Sequence, residues 1–328
     1  MKSETRFERS LAEGQFVITA ELGPPKAPDA EAIRRKAGLL RGSVTAANIT
    51  DNQTAVVRVS SIAAGAIALA SGVEPVIQIT CRDRNRLAIQ SDVLGAFMAG
   101  MQNVLCLTGD HQCFGNHPQA RGVFDLDSVH MIAMLRCMRD EGRFQCGEEI
   151  KTSKSSPVIA PKLFIGGAAN PFGDPFEARV LRLAKKVAAG ADFIQTQPVF
   201  DLERFGRWME AVRSLGLHEQ VYILAGVMPV KSYKALEYMD QKVPGIRIPA
   251  AIIERMKKAQ SPKEEGVQIC VETMRALQGI EGVSGIHIMA VEWEEMVPDI
   301  VRRFGNDATT AGGVRETMQV RGGLPVTA

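Results

Sequence analysis

The prediction of the fold depends on the pattern found in residues 103–110, NVLCLTGD. A short, mostly apolar run ends at Leu107, and Thr108, Gly109 and Asp110 follow it at once. Short runs of this kind are typical of strands that are buried on both faces. The segment therefore predicts a buried strand that ends next to an acidic residue.

Similar runs recur along the chain, and a segment with helical periodicity follows each of them. The other predicted strands lie at 15–22, 45–50, 75–81, 162–170, 191–199, 221–229 and 284–291. The longest helical segment is predicted at 231–279. This regular alternation of eight strands and helices favours a single-domain α/β fold, the (β/α)8 TIM barrel, over an open doubly wound sheet. The length of 328 residues accommodates one such barrel.

We predict that the barrel occupies residues 1–305. Residues 306–328 show little apolar periodicity and are predicted to form a C-terminal tail that is mobile or docks a partner. Residues 141–160, between the helix after strand four and strand five, are predicted to form an exposed turn or hairpin.

The bulk composition excludes several classes of protein. The 39 Lys and Arg nearly balance the 37 Asp and Glu, which argues against a nucleic-acid-binding arm or a membrane-surface helix. No segment has the character of a signal peptide or a membrane span. The six cysteines include no C-x-x-C pair, so we expect a reducing compartment and a cytoplasmic protein.

Functional groups of a (β/α)8 barrel lie at the carboxyl ends of its strands. We therefore expect the polar residues at the predicted strand ends to converge on one mouth. These residues are Glu21, Thr50, Asp51, Asn52, Gln78, Thr80, Arg82, Asp83, Thr108, Asp110, Asn170, Gln195, Thr196 and Gln197.

Structural alternatives exist for several of these residues. Glu21 could end its strand in solvent, and Asp110 could cap a turn. Asp51, Arg82 and Asp83 could form a local salt-bridge network.

The histidines give weaker signals. His130 and His287 lie in apolar surroundings and are predicted to be core residues. His111 and His117 have polar surroundings, but no carboxylate stands at ligand spacing beside them, so we predict no metal site.

Five ordered motifs carry a resemblance to a known family. They are ELGPP at 21–25, LTGD at 107–110, AANP at 168–171, AGADFIQTQPVFD at 189–201 and AGVMPV at 225–230. Over about residues 16–304 the chain resembles the methylenetetrahydrofolate reductases, which are flavoprotein (β/α)8 barrels of one-carbon metabolism and methionine biosynthesis.

The resemblance implies a reaction and roles for four residues. Reduced flavin would deliver hydride from N5 to methylenetetrahydrofolate, and Glu21 would protonate N10 of the folate. Asp110 would orient the pterin and tune the flavin, and Gln197 would hydrogen-bond the pterin. Tyr233 would stack on nicotinamide or folate.

The resemblance also implies FAD as cofactor, with FMN as the alternative, and NADH or NADPH as the electron donor. Its flavin contacts correspond to Thr50, Gln78, Thr108, Gly109, Asp110, Asn170, Asp174 and Lys186. Lys186 would reach a diphosphate, although a position on the solvent face beside Lys185 is an equal alternative.

The chain departs from the family pattern at four positions. Gln78 and Asp174 replace histidines, Asn170 replaces a tyrosine, and Trp293 replaces an arginine associated with folate binding. These departures concern positions expected to contact the flavin or the folate, and they leave Glu21, Asp110 and Gln197 intact.

Two other functional hypotheses remain open at this point. In one, the chain is the catalytic subunit of a complex in which an iron–sulfur partner reduces the flavin. In the other, it is an unrelated barrel such as a metal-dependent lyase or an aldolase, for which Lys231 is the available strand-end lysine. A homo-oligomer is compatible with each hypothesis.

Overall fold

The computed structural model describes residues 1–243 and 245–308, with the backbone alone for 306–308. Parallel strands lie in chain order around a closed barrel, in which β1 pairs with both β2 and β8. This confirms the predicted (β/α)8 barrel. The strands are β1 Val17–Leu22, β2 Ala46–Ile49, β3 Pro75–Thr80, β4 Asn103–Leu107, β5 Phe164–Ala169, β6 Phe193–Pro198, β7 Tyr222–Val227 and β8 Val283–Ile288.

Helices surround the barrel and begin at residues suited to cap them. Asp29 and Asn85, for example, accept hydrogen bonds from backbone N–H groups in the first turns of α2 and α4. The helices are α1 Arg6–Ala12, α2 Ala30–Leu40, α3 Ser61–Ala70, α4 Arg86–Met98, α5 Ser128–Asp140, α6 Phe176–Ala189, α7 Leu202–Ser214, α8 Tyr233–Lys242, α9 Ala250–Lys258, α10 Pro262–Gln278 and α11 Val297–Ala308.

The interior of the barrel changes from apolar to polar along the strands. Residues two apart on a strand face the same side, so each strand contributes a series of residues to the lumen. On β1 the series is Val17, Thr19 and Glu21, and on β2 it begins with Ala46 and Asn48. The apolar layer therefore lies at the amino ends of the strands, and the polar layers lie toward the carboxyl ends.

The short helix α1, which was not predicted from the sequence, packs against the apolar end of the barrel. The ring of Phe7 lies 5.4 Å from that of Phe164 and 5.1 Å from that of Phe193, measured between centroids. Gly166 leaves the room that Phe193 needs, because a Cβ at this position would lie 2.2 Å from the ring of Phe193. This aromatic layer fills the amino-terminal end of the lumen.

The single helical segment predicted at 231–279 is wrong in detail, because it consists of the three helices α8, α9 and α10. Pro249 precedes the first residue of α9, and Pro262 is the first residue of α10. Proline lacks the N–H that a helix interior requires, but that N–H is not needed in the residue before a helix or in its first turn, so each of these prolines favours a new helix start.

The other predicted segments are found as follows. Arg143 and Glu149 form an antiparallel bridge, which confirms a hairpin within 141–160. The last helix, α11, runs to Ala308, beyond the predicted boundary at 305. The rest of the predicted tail, 309–328, lies outside the described residues. Among the described helices, none combines the length and apolar character needed to cross a bilayer.

Candidate active site

The acidic residue of β1 lies beside a buried histidine of β8. Oε1 of Glu21 is 3.9 Å from Nε2 of His287, and the two side chains are 13% and 3% exposed. The other ring nitrogen of His287, Nδ1, lies 2.9 Å from the hydroxyl oxygen of Thr19. The prediction that His287 is buried is confirmed, but the sequence did not predict its position next to Glu21.

This pairing follows from the closure of the barrel. β1 and β8 are neighbours in register, with Thr19 opposite His287 and Ala20 opposite Ile288. The first and last strands therefore bring together two functional groups from opposite ends of the chain. The alternative that Glu21 only ends its strand in solvent does not fit its low exposure.

The loop after β2 approaches Glu21 from a second side. Nε2 of Gln53 lies 3.5 Å from Oε2 of Glu21. Thr54 and Ala55 in the same loop have positive φ angles of 57° and 56°, which are unfavourable for these residues, and the preceding Asn52 has a φ of 42°, in the left-handed region that asparagine tolerates. A strained loop of this kind is typical of functional sites, where the surrounding structure holds it in place.

Charged residues that follow β2 and β3 form the predicted salt-bridge network. Arg84 donates to both carboxylate oxygens of Asp51, at 2.7 and 3.2 Å, and Thr80 donates to the same group. Arg82 donates to Asp83 at 2.6 Å. Burial acts to raise the pKa of Asp83, but hydrogen bonds from Arg82 and Asn52 hold it below its usual value. These hydrogen bonds and ion pairs connect the segments that follow β2 and β3 at the mouth.

Arg82 also connects the loops after β2 and β4. Its guanidinium donates to the carbonyl oxygens of Asn52 and Asp110, both at 3.2 Å. Gly109 has a φ of 92°, and a Cβ here would lie 2.9 Å from Cβ of Arg82. Glycine at 109 therefore allows the chain to turn tightly over Arg82 and to present Asp110, which is exposed, at the mouth.

The side chain of Thr108 has a structural role, and its predicted contact with a flavin stays a prediction. Its hydroxyl oxygen accepts a hydrogen bond of 3.2 Å from the N–H of Ser128, at the start of α5. Thr50, at the end of β2, differs from it. The Thr50 hydroxyl oxygen is buried and has no hydrogen-bond partner, so it is available to a bound molecule.

Lys186 lies under the end of β5 and not on the solvent face. Its side chain is buried, and its ammonium group donates to the carbonyl oxygen of Ala168. Burial lowers the pKa of Lys186 to about 8. The alternative of a solvent-exposed lysine beside Lys185 is wrong, whereas a contact with a diphosphate stays a prediction.

A second group of predicted residues lies around the ends of β5, β6 and β7. Asn170 accepts a hydrogen bond of 2.9 Å from the N–H of Phe172. Asp174 is exposed and forms ion pairs with Arg204 at 2.8 Å and Arg247 at 2.7 Å. The hydrogen bond from Arg204 and the positive charges of Arg204 and Arg247 lower the pKa of Asp174, although burial acts in the opposite direction.

Gln197 and Tyr233 belong to the same side of the mouth. The pairing of β6 with β7 shifts register between Gln195 and Pro198, and Gln197, which is half-buried, lies in this irregular segment. Such irregularities often change the direction of a side chain next to a site. Tyr233 begins α8 and packs on the apolar cluster of α8 to α10, with Nζ of Lys257 5.8 Å from its ring centroid.

Two other histidines, His130 and His111, contact residues other than Glu21. His130 is 71% exposed and pairs with Asp127, so the prediction that it belongs to the core is wrong. It lies on the outer face of α5. The apolar residues around it in the sequence do not indicate which face of the helix it occupies. His111 accepts from the N–H of Cys113. Within the described residues, no three His, Cys, Asp or Glu side chains lie close enough to hold a metal ion.

The fold and the site together define a class of protein. A closed (β/α)8 barrel with an acid, a histidine and amides at the carboxyl ends of its strands has the layout of the barrel enzymes. Residues 6–305 match the family model for methylenetetrahydrofolate reductase, and the chain belongs to this family.

Individual relatives agree with the family match. The 5,10-methylenetetrahydrofolate reductase of Escherichia coli (strain K12) is 25% identical over 91% of this chain and 95% of that protein. The probable methylenetetrahydrofolate reductase (NADPH) of Caenorhabditis elegans is 24% identical over 92% of this chain. The chain spans only 44% of the length of that protein and 36% of the reductase 1 of Schizosaccharomyces pombe.

A solved structure supports the fold. An uncharacterized protein from Clostridium thermocellum, described as binding two copies of 5-methyl-5,6,7,8-tetrahydrofolic acid, has a TM-score of 0.62 and 15% identity to this chain. The likeness covers 93% of this chain and 99% of that chain. It extends the agreement in fold over nearly the whole barrel.

Proposed function

We propose that the protein catalyses the flavin-dependent reduction of 5,10-methylenetetrahydrofolate to 5-methyltetrahydrofolate. The observation that carries the proposal is the pair formed by Glu21 and His287 at the mouth of a barrel of this family. A carboxyl group that must exchange a proton with a substrate needs access to the mouth and a partner for its charged form. Glu21 has both.

The residues at the ends of β2 and β4 suit a flavin. The orphaned hydroxyl oxygen of Thr50 can make a hydrogen bond to a bound group, and Gln78, which is 8% exposed, lies on the adjacent strand. Gly109 allows close approach to the backbone of its loop. We propose FAD as the cofactor, with FMN as the alternative. The residues proposed to hold it are the predicted flavin contacts Thr50, Gln78, Thr108, Gly109, Asp110, Asn170, Asp174 and Lys186. When bound, the reduced flavin supplies the hydride.

Glu21 supplies the proton of the reaction. Proton transfer from its carboxyl group to N10 of the folate allows the bond between N10 and the methylene carbon to break, with the electron pair left on N10. The resulting N5 iminium accepts the hydride at the same carbon, which becomes the methyl group. One proton and one hydride are thus added, and the charge on the Glu21 carboxylate is stabilised by His287.

Asp110 and Gln197 are proposed to bind the pterin. A carboxylate and an amide provide the acceptors and donors that the polar edge of a pterin ring requires. Asp110 lies on the loop tied to Arg82, whose positive charge keeps that loop in place. Tyr233 is proposed to stack on the folate or on nicotinamide, since it lies at the start of the helix that follows β7.

We propose NADH or NADPH as the electron donor. The name of the relative from Caenorhabditis elegans specifies NADPH, and that of a relative from Arabidopsis thaliana specifies NADH. The alternative is an iron–sulfur partner protein that reduces the flavin, and the response of the bound flavin to NADH and NADPH separates the two.

The experiment starts with an absorbance spectrum of the purified full-length protein, which we expect to show bound flavin. Anaerobic addition of NADH or NADPH should bleach the flavin, and methylenetetrahydrofolate should then restore its colour. Restoration after chemical reduction, without bleaching by either nucleotide, indicates a protein donor. A preparation that neither contains nor takes up flavin contradicts the proposed function.

A further inference from the structure

Four polar side chains meet inside the barrel, one layer below the carboxyl group of Glu21. Thr19, Asn48, Gln195 and His287 come from β1, β2, β6 and β8, and each is at most 3% exposed. Burial of polar groups costs free energy unless their hydrogen bonds are satisfied. A cluster of this size in the lumen must therefore be a connected network.

Asn48 and Gln195 form a reciprocal amide pair across the lumen. Nδ2 of Asn48 donates to Oε1 of Gln195 at 2.6 Å, and Nε2 of Gln195 donates to Oδ1 of Asn48 at 3.1 Å. The two residues come from strands four apart in the ring of eight, so the pair spans the barrel. The pair uses the amide oxygen of Gln195 and one of its two N–H groups.

The second N–H of Gln195 faces Thr19 and His287. Nε2 of Gln195 lies 3.3 Å from the hydroxyl oxygen of Thr19 and 3.4 Å from Nδ1 of His287. An amide nitrogen only donates hydrogen bonds, so both of these atoms face a donor. Thr19, which then accepts from Gln195, has its own proton to donate.

Two acceptors lie within reach of the Thr19 hydroxyl. Nδ1 of His287 is at 2.9 Å, and the carbonyl oxygen of Ile286 is at 3.4 Å. The shorter distance favours donation to His287. Nδ1 of His287 is then an acceptor, and the proton of the uncharged ring is on Nε2, the nitrogen that faces Glu21.

We propose that Gln195, held by Asn48, is a positioning residue that fixes His287 in the tautomer with its proton on Nε2. The role rests on the proposed function, in which Glu21 becomes a carboxylate when it gives up its proton. A His287 ring in this tautomer directs an N–H toward that carboxylate, whereas the other tautomer would direct a lone pair at it.

The tautomer is measured directly by ¹⁵N NMR of the full-length protein labelled at histidine, at a pH at which the His287 ring is uncharged. The His287 signals are assigned by their loss in His287→Gln. We expect the wild-type protein to carry the proton on Nε2 and Gln195→Leu to shift His287 toward the Nδ1–H form. Gln220→Leu, at an exposed position before β7, is the matched control and should leave the spectrum unchanged.

Two results would overturn the proposal: a wild-type ring with its proton on Nδ1, or a Gln195→Leu protein that keeps the Nε2–H form. If Gln195→Leu does not fold, Asn48→Leu/Gln195→Leu removes both amides together and leaves neither unpaired. The wild-type spectrum tests the tautomer in any case.

The kinetics distinguish a positioning role of Gln195 from a general loss of structure in the variant. In Gln195→Leu we expect reduction of methylenetetrahydrofolate to slow by about tenfold or more, while reduction of the flavin by its donor stays unchanged. Equal slowing of both half-reactions contradicts a role through His287. Because the NMR measurement needs neither flavin nor folate, failure of the tautomer assignment and failure of the proposed function are distinguishable.

Discussion

Glu21 and His287 lie side by side on β1 and β8, with Oε1 and Nε2 3.9 Å apart. Behind the histidine, Nδ1 contacts the Thr19 hydroxyl at 2.9 Å. The carboxyl group is thus the outermost member of a polar series that begins inside the barrel. The Glu21 side chain is 13% exposed, whereas that of His287 behind it is 3% exposed.

The first prediction concerns His287. In His287→Gln we expect reduction of methylenetetrahydrofolate to slow by about 10-fold to 100-fold, because the carboxylate of Glu21 loses its partner. When it is added to Glu21→Gln, His287→Gln should slow this reaction much less than it slows the wild-type reaction, since residues that act as a unit have non-additive effects. Single-turnover rates of the four proteins measure this. The exposed His130→Gln is the control, and additive losses would contradict a shared role.

The second prediction concerns Asp110. Asp110→Asn keeps the size of the side chain but removes its charge, so it should weaken folate binding and change the rate of flavin reduction. Folate titrations and stopped-flow flavin reduction provide the two measurements. Asp140→Asn, at the end of α5, is the matched control. Wild-type values for both quantities would exclude Asp110 from the site.

The third prediction concerns the buried Lys186. Burial lowers the pKa of Lys186 from 10.5 to about 8, so the unfolded chain binds more protons than the folded protein between these values. The free energy of unfolding therefore rises with pH in this window. Lys186→Met lacks this rise, so wild type should gain up to about 3 kcal/mol relative to the variant between about pH 8 and pH 10.5.

Urea unfolding of the flavin-free proteins across this pH range measures the difference. For Lys185→Met, at the exposed neighbouring position, the free energy of unfolding should change with pH as it does in wild type. Comparing slopes with pH removes the constant contribution of lost packing and of the hydrogen bond to Ala168. A wild-type slope in Lys186→Met would show that the lysine titrates alike in the folded and unfolded chain.

The sequence predicted the barrel well because its signals are local. Each strand is a short apolar run such as that ending at Leu107, and each is followed by helical periodicity. The short helix α1 escaped prediction because seven residues give little periodicity. Its stability comes from the contacts of Phe7 with Phe164 and Phe193, which are distant in sequence.

The site was harder to predict because its contacts are long-range. His287 could be predicted as buried, but its contact with Glu21 depends on the pairing of the first strand with the last. The burial of Lys186 depends on the phase of α6, since adjacent residues point in directions about 100° apart on a helix. The sequence shows only the pair Lys185 and Lys186, without the face that each occupies.

The central claim is that Glu21 delivers the proton that opens the folate ring. Its most direct test is a single turnover, in which chemically reduced flavoprotein is mixed anaerobically with methylenetetrahydrofolate. Wild type should reoxidise its flavin and form one 5-methyltetrahydrofolate per flavin. Glu21→Gln should do so more slowly by about 10²-fold to 10⁴-fold, while the exposed Glu31→Gln should behave as wild type. Reoxidation of Glu21→Gln at the wild-type rate would contradict the account.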